Sequence, residues 1–302
     1  MPLKKYKGRN SVSWKKGRKS KSNRKGGLRK KSRATTTRLT KKRVLNMTAT
    51  KKRDTMLVAT NVTPTNPSGS SSYNRSFPTL IPGQTYMFPW IATWRDTTQT
   101  EGLKMNQAAR TSQTCFMRGL KEKVLCVTND GTEWLWRRIC FTWRGSELYG
   151  QSTAGYTLAT RISGQGYCRT VNDVNITTNG IGSSLQQILF RGQVGVDWSN
   201  YFTAPLDTSY ITVKYDKTQS IRSGNQNGRT TTRSFWHAMN KNLVYNDDEN
   251  GATTATQGSS TRAKRGMGDY YVVDIISTNS PQDANNSRLT WVPEATLYWA
   301  EK

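Results

Sequence analysis

The stretch TCFMRGLKEKVLCVTNDGTEWLWRRICFTWRG (residues 114–145) contains two long runs rich in apolar, aromatic and β-branched residues. Asn129-Asp130-Gly131 separates the two runs, and an Asp-Gly pair between such runs is a strong signal for a tight turn. The stretch therefore predicts two long strands that are joined as a β-hairpin.

Strand-like runs continue on both sides of this stretch. They occupy residues 54–62, 185–192, 210–216, 231–245, 269–276 and 288–300. The last run alternates apolar and polar side chains, which is typical of a strand with one buried face. Its apolar face consists of Leu289, Trp291, Ala295, Leu297 and Trp299, and its polar face of Thr290, Glu294 and Thr296.

About eight strands in roughly 250 residues suit a single all-β domain. We predict an eight-stranded antiparallel jelly-roll sandwich over residues 54–302. Three connections are much longer than hairpin turns: 63–113, 144–184 and 246–268. Loops of that length on a rigid sandwich usually carry contacts or function. The candidates for a helix are short segments at 183–190 and within 101–112.

Positive charge is concentrated at the N-terminus. The chain has 302 residues, with 46 Lys and Arg against 19 Asp and Glu, and a net charge of +27. Twenty-two of these cations lie in residues 1–53, and Asp54 is the first acidic residue. A block of like charge repels itself and has few apolar groups to bury. We therefore predict a disordered basic arm over residues 1–53.

A polyanionic partner explains the charge of the basic arm better than solubility, which needs far less charge. Each phosphate that is neutralised releases condensed counterions, which gives strong, salt-sensitive binding that is indifferent to base sequence. Tyr6 and Trp14 are the only stacking groups, so the arm suits following a phosphate backbone more than reading bases. The predicted nucleic-acid-binding residues are Lys4, Lys5, Lys7, Arg9, Lys15, Lys16, Arg18, Lys19, Lys21, Arg24, Lys25, Arg29, Lys30, Lys31, Arg33, Arg38, Lys41, Lys42 and Arg43.

Three short clusters in the basic arm are of the nuclear-localisation type, at residues 15–19, 29–33 and 41–43. They predict recognition by the nuclear import machinery. The N-terminus lacks the apolar segment of a secretory signal, and no apolar run approaches the ~18 residues of a membrane span. We expect an intracellular product with no membrane partner.

Four cysteines are widely and irregularly spaced, with no C-x-x-C pair: Cys115, Cys126, Cys140 and Cys168. Closed zinc sites usually draw on closely spaced ligand pairs. Three of the four cysteines lie in apolar strand-like runs. Buried thiols in a reduced compartment are therefore expected in preference to a zinc site.

Residues that could carry catalysis are few. His237 is the single histidine, and its SFWHAM setting indicates packing in a strand. The acidic group Asp247, Asp248 and Glu249 lacks the ligand spacing of a calcium loop and is expected at a solvated loop tip. No phosphate-binding G-x-x-x-x-G-K-[ST] motif is present. We predict no enzymatic activity and no cofactor.

Two neighbouring arginines, Arg137 and Arg138, lie within the second run of the opening stretch. Successive side chains of a strand point to opposite faces, so at least one of the two is expected on a surface. Whether either contacts DNA stays open at this point.

The segments CFMRGLKEKV (115–124) and WLWRRICFTWRG (134–145) resemble the coat-protein pattern of genomoviruses. These are small circular single-stranded DNA viruses associated with fungi and related to the plant geminiviruses. The resemblance implies a jelly-roll capsid subunit, a T=1-type shell of sixty copies and packaging of a circular single-stranded DNA genome. It also implies assembly in the host nucleus and a place in the virion. Geminivirus coat proteins form twinned particles, and the sequence does not distinguish a single from a twinned particle.

Two other classes of protein are alternatives to a capsid subunit. A cellular nuclear nucleic-acid-binding protein explains the basic tail equally well, but not the nearly charge-balanced, aromatic and loop-rich remainder. Ten tryptophans suit a core with large subunit interfaces, where aromatic residues are enriched. A DNA-processing nuclease lacks the histidines and carboxylate clusters of metal-dependent cleavage.

Overall fold

The computed structural model describes residues 40–66, 77–97, 107–152, 156–175, 180–278 and 281–302. The strands are β1 (Thr50–Met56), β2 (Val58–Thr60), β3 (Thr79–Leu80), β4 (Thr85–Ile91), β5 (Thr114–Thr128), β6 (Trp134–Trp143), β7 (Thr160–Ile162), β8 (Gly166–Val171), β9 (Thr212–Ile221), β10 (Thr230–Val244), β11 (Asp248–Asn250), β12 (Thr253–Ala255), β13 (Asp269–Ser277) and β14 (Leu289–Glu301). The helices are α1 (Lys41–Thr48), α2 (Glu147–Gly150) and α3 (Ile181–Leu189). None of these helices is long and apolar enough to cross a membrane.

Nine strands form the two main sheets, and the short β3 pairs with β14 beside the main order of the first sheet. The first sheet has the order β1-β14-β5-β10 and the second the order β4-β13-β6-β9. Neighbouring strands within this order are antiparallel throughout. The eight long strands of these two orders can be renumbered 1 to 8 along the chain, as β1, β4, β5, β6, β9, β10, β13 and β14. The first sheet then has the order 1-8-3-6 and the second the order 2-7-4-5, which is the strand order of a jelly roll. The predicted fold class is confirmed.

The predicted hairpin over residues 114–145 is wrong. β5 lies in the first sheet and β6 in the second, so the Asn129-Asp130-Gly131 turn crosses between the sheets. The loop before β14 holds this turn: the Gly131 amide donates to Gln282 Oε1 at 2.8 Å, and the Ser287 hydroxyl donates to Asp130. The strands that pair with β5 and β6 come from later in the chain: β10 and β14 pair with β5, and β9 and β13 with β6.

β4 was missed, because residues 63–113 were interpreted as one long loop. The strand TYMFPWI does not alternate, since six of its seven residues are buried, and it contains Pro89. Proline is tolerated because β4 is the edge strand of its sheet. The segment after β8 covers this edge: the Asp173 carboxylate accepts from the Met87 amide at 2.9 Å, and the Val174 amide donates to the Met87 carbonyl at 3.0 Å.

Two further predictions concern the segment at 183–192 and the start of the first strand. Residues 185–192 do not form a strand, and the helical alternative at 183–190 is confirmed as α3. The first sheet begins four residues earlier than residue 54, since β1 starts at Thr50. Within it, Lys52 is buried and its Nζ lies 3.2 Å from Glu301 Oε2. The end of the basic arm is therefore part of the sandwich.

The two sheets differ in how many of their faces are buried. One layer of the core lies between them and includes Leu120, Val272 and Leu297. A second layer lies on the far side of the second sheet, where Ile139 and Val273 pack in one cluster with Leu185 and Leu189 of α3. β6 and β13 of the second sheet are thus covered on both faces, whereas the described residues leave most of the outer face of the first sheet uncovered.

Asp173 gives the fold a specific pH dependence. Burial raises the pKa of Asp173 to about 7, although the Met87 and Asn175 amides donate to the carboxylate. The pKa of this carboxyl is 3.8 in the unfolded chain and higher in the fold, so the protonated carboxyl stabilises the fold at low pH. This contribution is fully present below pH 3.8 and is lost as pH rises through the folded-state pKa.

We predict that Asp173→Asn removes this loss, because the amide stays neutral. The free energy of unfolding of the variant minus that of the wild type should increase by about 2–3 kcal/mol between pH 5 and pH 8. Urea unfolding of both proteins at the two pH values measures the difference. A constant difference would show that Asp173 stays ionised in the fold.

Candidate nucleic-acid interface

Neither Arg137 nor Arg138 faces solvent, so the prediction that at least one lies on a surface is wrong. Both faces of β6 are covered. On one face, Arg137 forms two hydrogen bonds to Asp216 of β9, with Nη2–Oδ2 at 2.8 Å and Nε–Oδ1 at 2.9 Å. Its Nη1 donates to the carbonyls of Tyr201 and Ala204. Arg137 therefore links the loop between α3 and β9 to the second sheet.

On the other face, Arg138 lies between the two sheets in a ring of four fully buried charged residues, which we call the charge quartet: Glu122, Arg138, Arg169 and Asp274. Arg138 Nη1 lies 2.8 Å from Glu122 Oε2 and Nε lies 2.7 Å from Asp274 Oδ1. Arg169 closes the ring, with Nη2 2.6 Å from Asp274 Oδ2 and Nε 3.3 Å from Glu122 Oε1. Two guanidiniums and two carboxylates leave no net charge.

The surroundings of the charge quartet satisfy its remaining polar atoms. The Trp136 indole donates to Asp274 Oδ1 at 2.7 Å. The Arg169 guanidinium lies 4.4 Å from the centre of the Trp90 ring, which favours the cation. Burial would raise the pKa of Asp274, but Arg138 and Arg169 hold this pKa below its ordinary value. The carboxylate is thus ionised at neutral pH.

His237 is buried within β10, in line with the predicted packing in a strand, and it lies beside the charge quartet. Its Nε2 lies 3.7 Å from Glu122 Oε2, and its ring stacks on Phe235 with 5.9 Å between centroids. Burial lowers the pKa of His237, and this outweighs the nearby Glu122 carboxylate. The neutral imidazole has a structural place in the core.

The outer face of the first sheet has the opposite character, because it is exposed and strongly basic. Within β1, β5 and β10 the buried and exposed residues alternate, so one set of side chains faces solvent. The outward cations are Lys51, Arg53, Arg118, Lys121 and Lys123. Glu294 of β14 is the one exposed carboxylate on these four strands and lies opposite Lys123. The face carries an excess of positive charge.

An exposed tryptophan lies among these cations. Trp236 of β10 is 53% exposed and lies opposite Lys121 in the register of β10 with β5. Its ring lies over Gly119, where a Cβ atom would be only 2.8 Å from the indole. The ring also contacts Tyr298 of β14, with 5.8 Å between centroids. Glycine at 119 thus lets the indole lie flat on the sheet.

Most of the predicted nucleic-acid-binding residues, from Lys4 to Arg38, lie outside the described residues. Lys41, Lys42 and Arg43 form the first turn of α1, and the Arg43 side chain is exposed. The chain then enters β1, whose Lys51 and Arg53 face outward. The sequence reasoning missed the basic residues of β1 and β5, although their alternation with buried residues was a readable signal.

The remaining candidate residues from the sequence are the four cysteines and the acidic group at 247–249. All four cysteines are buried and free, as predicted, and burial raises the pKa of Cys126 to about 11. Asp247 departs from the prediction of a solvated tip: its Oδ1 accepts from Arg110 Nη2 at 2.9 Å. Asp248 and Glu249 are exposed in β11. Within the described ranges, no three His, Cys, Asp or Glu residues are grouped so that they could hold a metal ion.

No protein-family model and no curated protein matches the chain. Solved structures with some similarity include VP1 of Trichodysplasia spinulosa-associated polyomavirus in complex with 3'-sialyllactose, at 10% identity over 84% of this chain and 93% of that chain, with a TM-score of 0.14. An unassembled VP1 pentamer mutant of Washington University Polyomavirus has 9% identity over 84% and 94% of the chains and a TM-score of 0.12. Apo New Jersey Polyomavirus VP1 has 10% identity over 83% and 80%, with a TM-score of 0.10. The strand order, and not this likeness, establishes the fold.

We predict that Glu122→Gln destabilises the protein by about 3 kcal/mol or more, because it leaves two buried guanidiniums facing one carboxylate. Lys123→Gln is the matched control, since the neighbouring side chain faces solvent. Urea unfolding at pH 7 measures both variants. Equal stability of the two variants would show that the charge quartet does not hold the sheets together.

Proposed function

We propose that the chain is the coat-protein subunit of a small single-stranded DNA virus. Sixty copies assemble into a T=1-type icosahedral shell, and the basic arm packages the circular genome. The observation that carries this proposal is the combination, in one chain, of an eight-stranded jelly roll with an N-terminal segment that holds 22 of the 46 cations. Jelly rolls of this type are common in viral capsids.

The loops of the sandwich support contacts between copies. The turn after α3 is fixed by backbone hydrogen bonds, with the Gly195 amide 2.8 Å from the Trp198 carbonyl, and it presents Val196 at 78% exposure. Phe77, before β3, is 61% exposed. Contacts between copies of the chain would bury both of these exposed apolar side chains.

The charge of the basic arm supports packaging of nucleic acid. Sixty arms would neutralise on the order of a thousand phosphates by counterion release. This is the scale of a very small genome, with part of its charge left to mobile ions. The basic clusters at 15–19, 29–33 and 41–43 support import into the host nucleus, where assembly takes place, before the subunit becomes part of the virion.

The proposal predicts that the protein forms large closed assemblies. Sedimentation velocity should show a discrete particle far larger than the 34.1 kDa chain. A protein that stays monomeric at every pH and salt concentration would contradict the proposed function.

A second prediction concerns the arm. Deletion of residues 1–40 removes 16 cations and leaves the compact unit Lys41–Lys302. Affinity for DNA should fall steeply, and the dependence of affinity on salt should become shallower, because fewer counterions are released. A chain with residues 1–40 scrambled at constant composition is the control and should bind as the wild type does. Equal salt dependence of the deleted and full chains would show that the arm is not the genome-binding element.

A further inference from the structure

We propose that the outer face of the first sheet is a second nucleic-acid site, where a base of a single strand stacks on Trp236 and its phosphates contact Lys121, Lys123 and Arg53. The inference rests on the proposed function in that it takes nucleic acid as the ligand. The inference differs from the proposed function because it places specific contacts on the folded domain.

Trp236 has the placement of a stacking platform. A large indole is normally mostly buried, yet this ring is 53% exposed on a regular strand. Gly119 leaves room for the ring, and Tyr298 lies beside it, while about half of the side chain stays exposed to a ligand. Stacking on an aromatic side chain tolerates any base, because every base has a π-face.

Cations lie on the same face as this ring, on the neighbouring β5 and on β1 at the opposite edge of the sheet. Lys121 is directly opposite Trp236, and Thr296 and Thr55 continue that row across β14 and β1. Arg53 lies opposite Tyr298 in the next row. Within the described residues, no hydrogen bond or ion pair involves the ammonium groups of Lys121 and Lys123. They are therefore free to contact phosphates.

The pattern favours a single strand over other partners. A duplex hides the faces of its bases within the stack, whereas a single strand can lay a base on an exposed ring. The core of a protein interface is depleted of charge, and lysine in particular is depleted there. Five cations against one carboxylate around an aromatic centre match a polyanion with unstacked bases.

The site also continues the basic arm. α1 leads directly into β1, and the Lys51 ammonium at the start of β1 donates to the Asn46 carbonyl of α1 at 2.9 Å. β1 and β10 are the two edge strands of the first sheet, so the chain enters the sheet at the edge opposite to Trp236, where Arg53 forms the far end of the proposed site.

The test uses the full chain and a labelled oligo-dT strand at a salt concentration that weakens the charge contacts of the arm. Trp236→Ala should weaken binding about tenfold, which corresponds to about 1.4 kcal/mol, and leave the salt dependence unchanged because the indole is neutral. Trp236→Phe should restore most of the affinity. Tyr210→Ala removes an aromatic side chain that is 66% exposed before β9 in the other sheet, and should have no effect.

Replacing Lys121 and Lys123 together by glutamine should lower the slope of log affinity against log salt by about 1.4.

Photo-crosslinking locates the contact independently of affinity. An oligonucleotide with 5-bromodeoxyuridine should crosslink to the peptide that contains Trp236 or Tyr298, as identified by mass spectrometry. Unchanged affinity in Trp236→Ala, with crosslinks confined to residues 1–40, would overturn the inference and leave the proposed function intact. A variant that changes sedimentation but not DNA affinity would also overturn it, by assigning the face to contacts between copies. Absence of DNA binding by the full chain would overturn the proposed function as well.

Discussion

The charge quartet between the sheets requires one side of β5, β6, β8 and β13 to face inward, because each of these strands contributes one of its members. Glu122 must point inward to meet Arg138 and Arg169, and because strand side chains alternate, Lys121 and Lys123 point outward. In the same way His237 packs inward beside Glu122, which places Trp236 on the outer face. A slip of one residue would exchange the two faces of a strand and leave buried guanidiniums without partners. The basic aromatic surface is thus a consequence of the buried ion pairs.

The sequence was most informative where a strand has one buried face. The alternation in β14 predicted its buried and exposed sides, since Leu297 is buried and Glu294 is exposed. Prediction from the sequence failed where both faces of a strand are buried. β4 shows no alternation, and the two faces of β6 bury Arg137 and Arg138 through Asp216 and the charge quartet, partners distant in sequence. Strand pairing was also beyond local reading, because the turn after β5 has the composition of a hairpin and yet joins two sheets.

Two physically different contributions to nucleic-acid binding are separated in the proposed function. The basic arm acts through net charge, which is strong, long-ranged and weakened by salt. The proposed face around Trp236 adds stacking, which is local and much less sensitive to salt than the contacts of its lysines, and so it would select single strands where charge alone would not. A subunit that combines both would collect a genome by its charge and order part of it against the outer face of the first sheet.

The central claim is that this jelly roll builds a closed shell, and electron microscopy of the purified full-length protein tests it most directly. Negative-stain images should show uniform small particles with icosahedral symmetry, and two-dimensional averages should resolve one size class of single particles. Images that contain only monomers or irregular aggregates, from a protein whose unfolding transition shows that it is folded, would contradict the account.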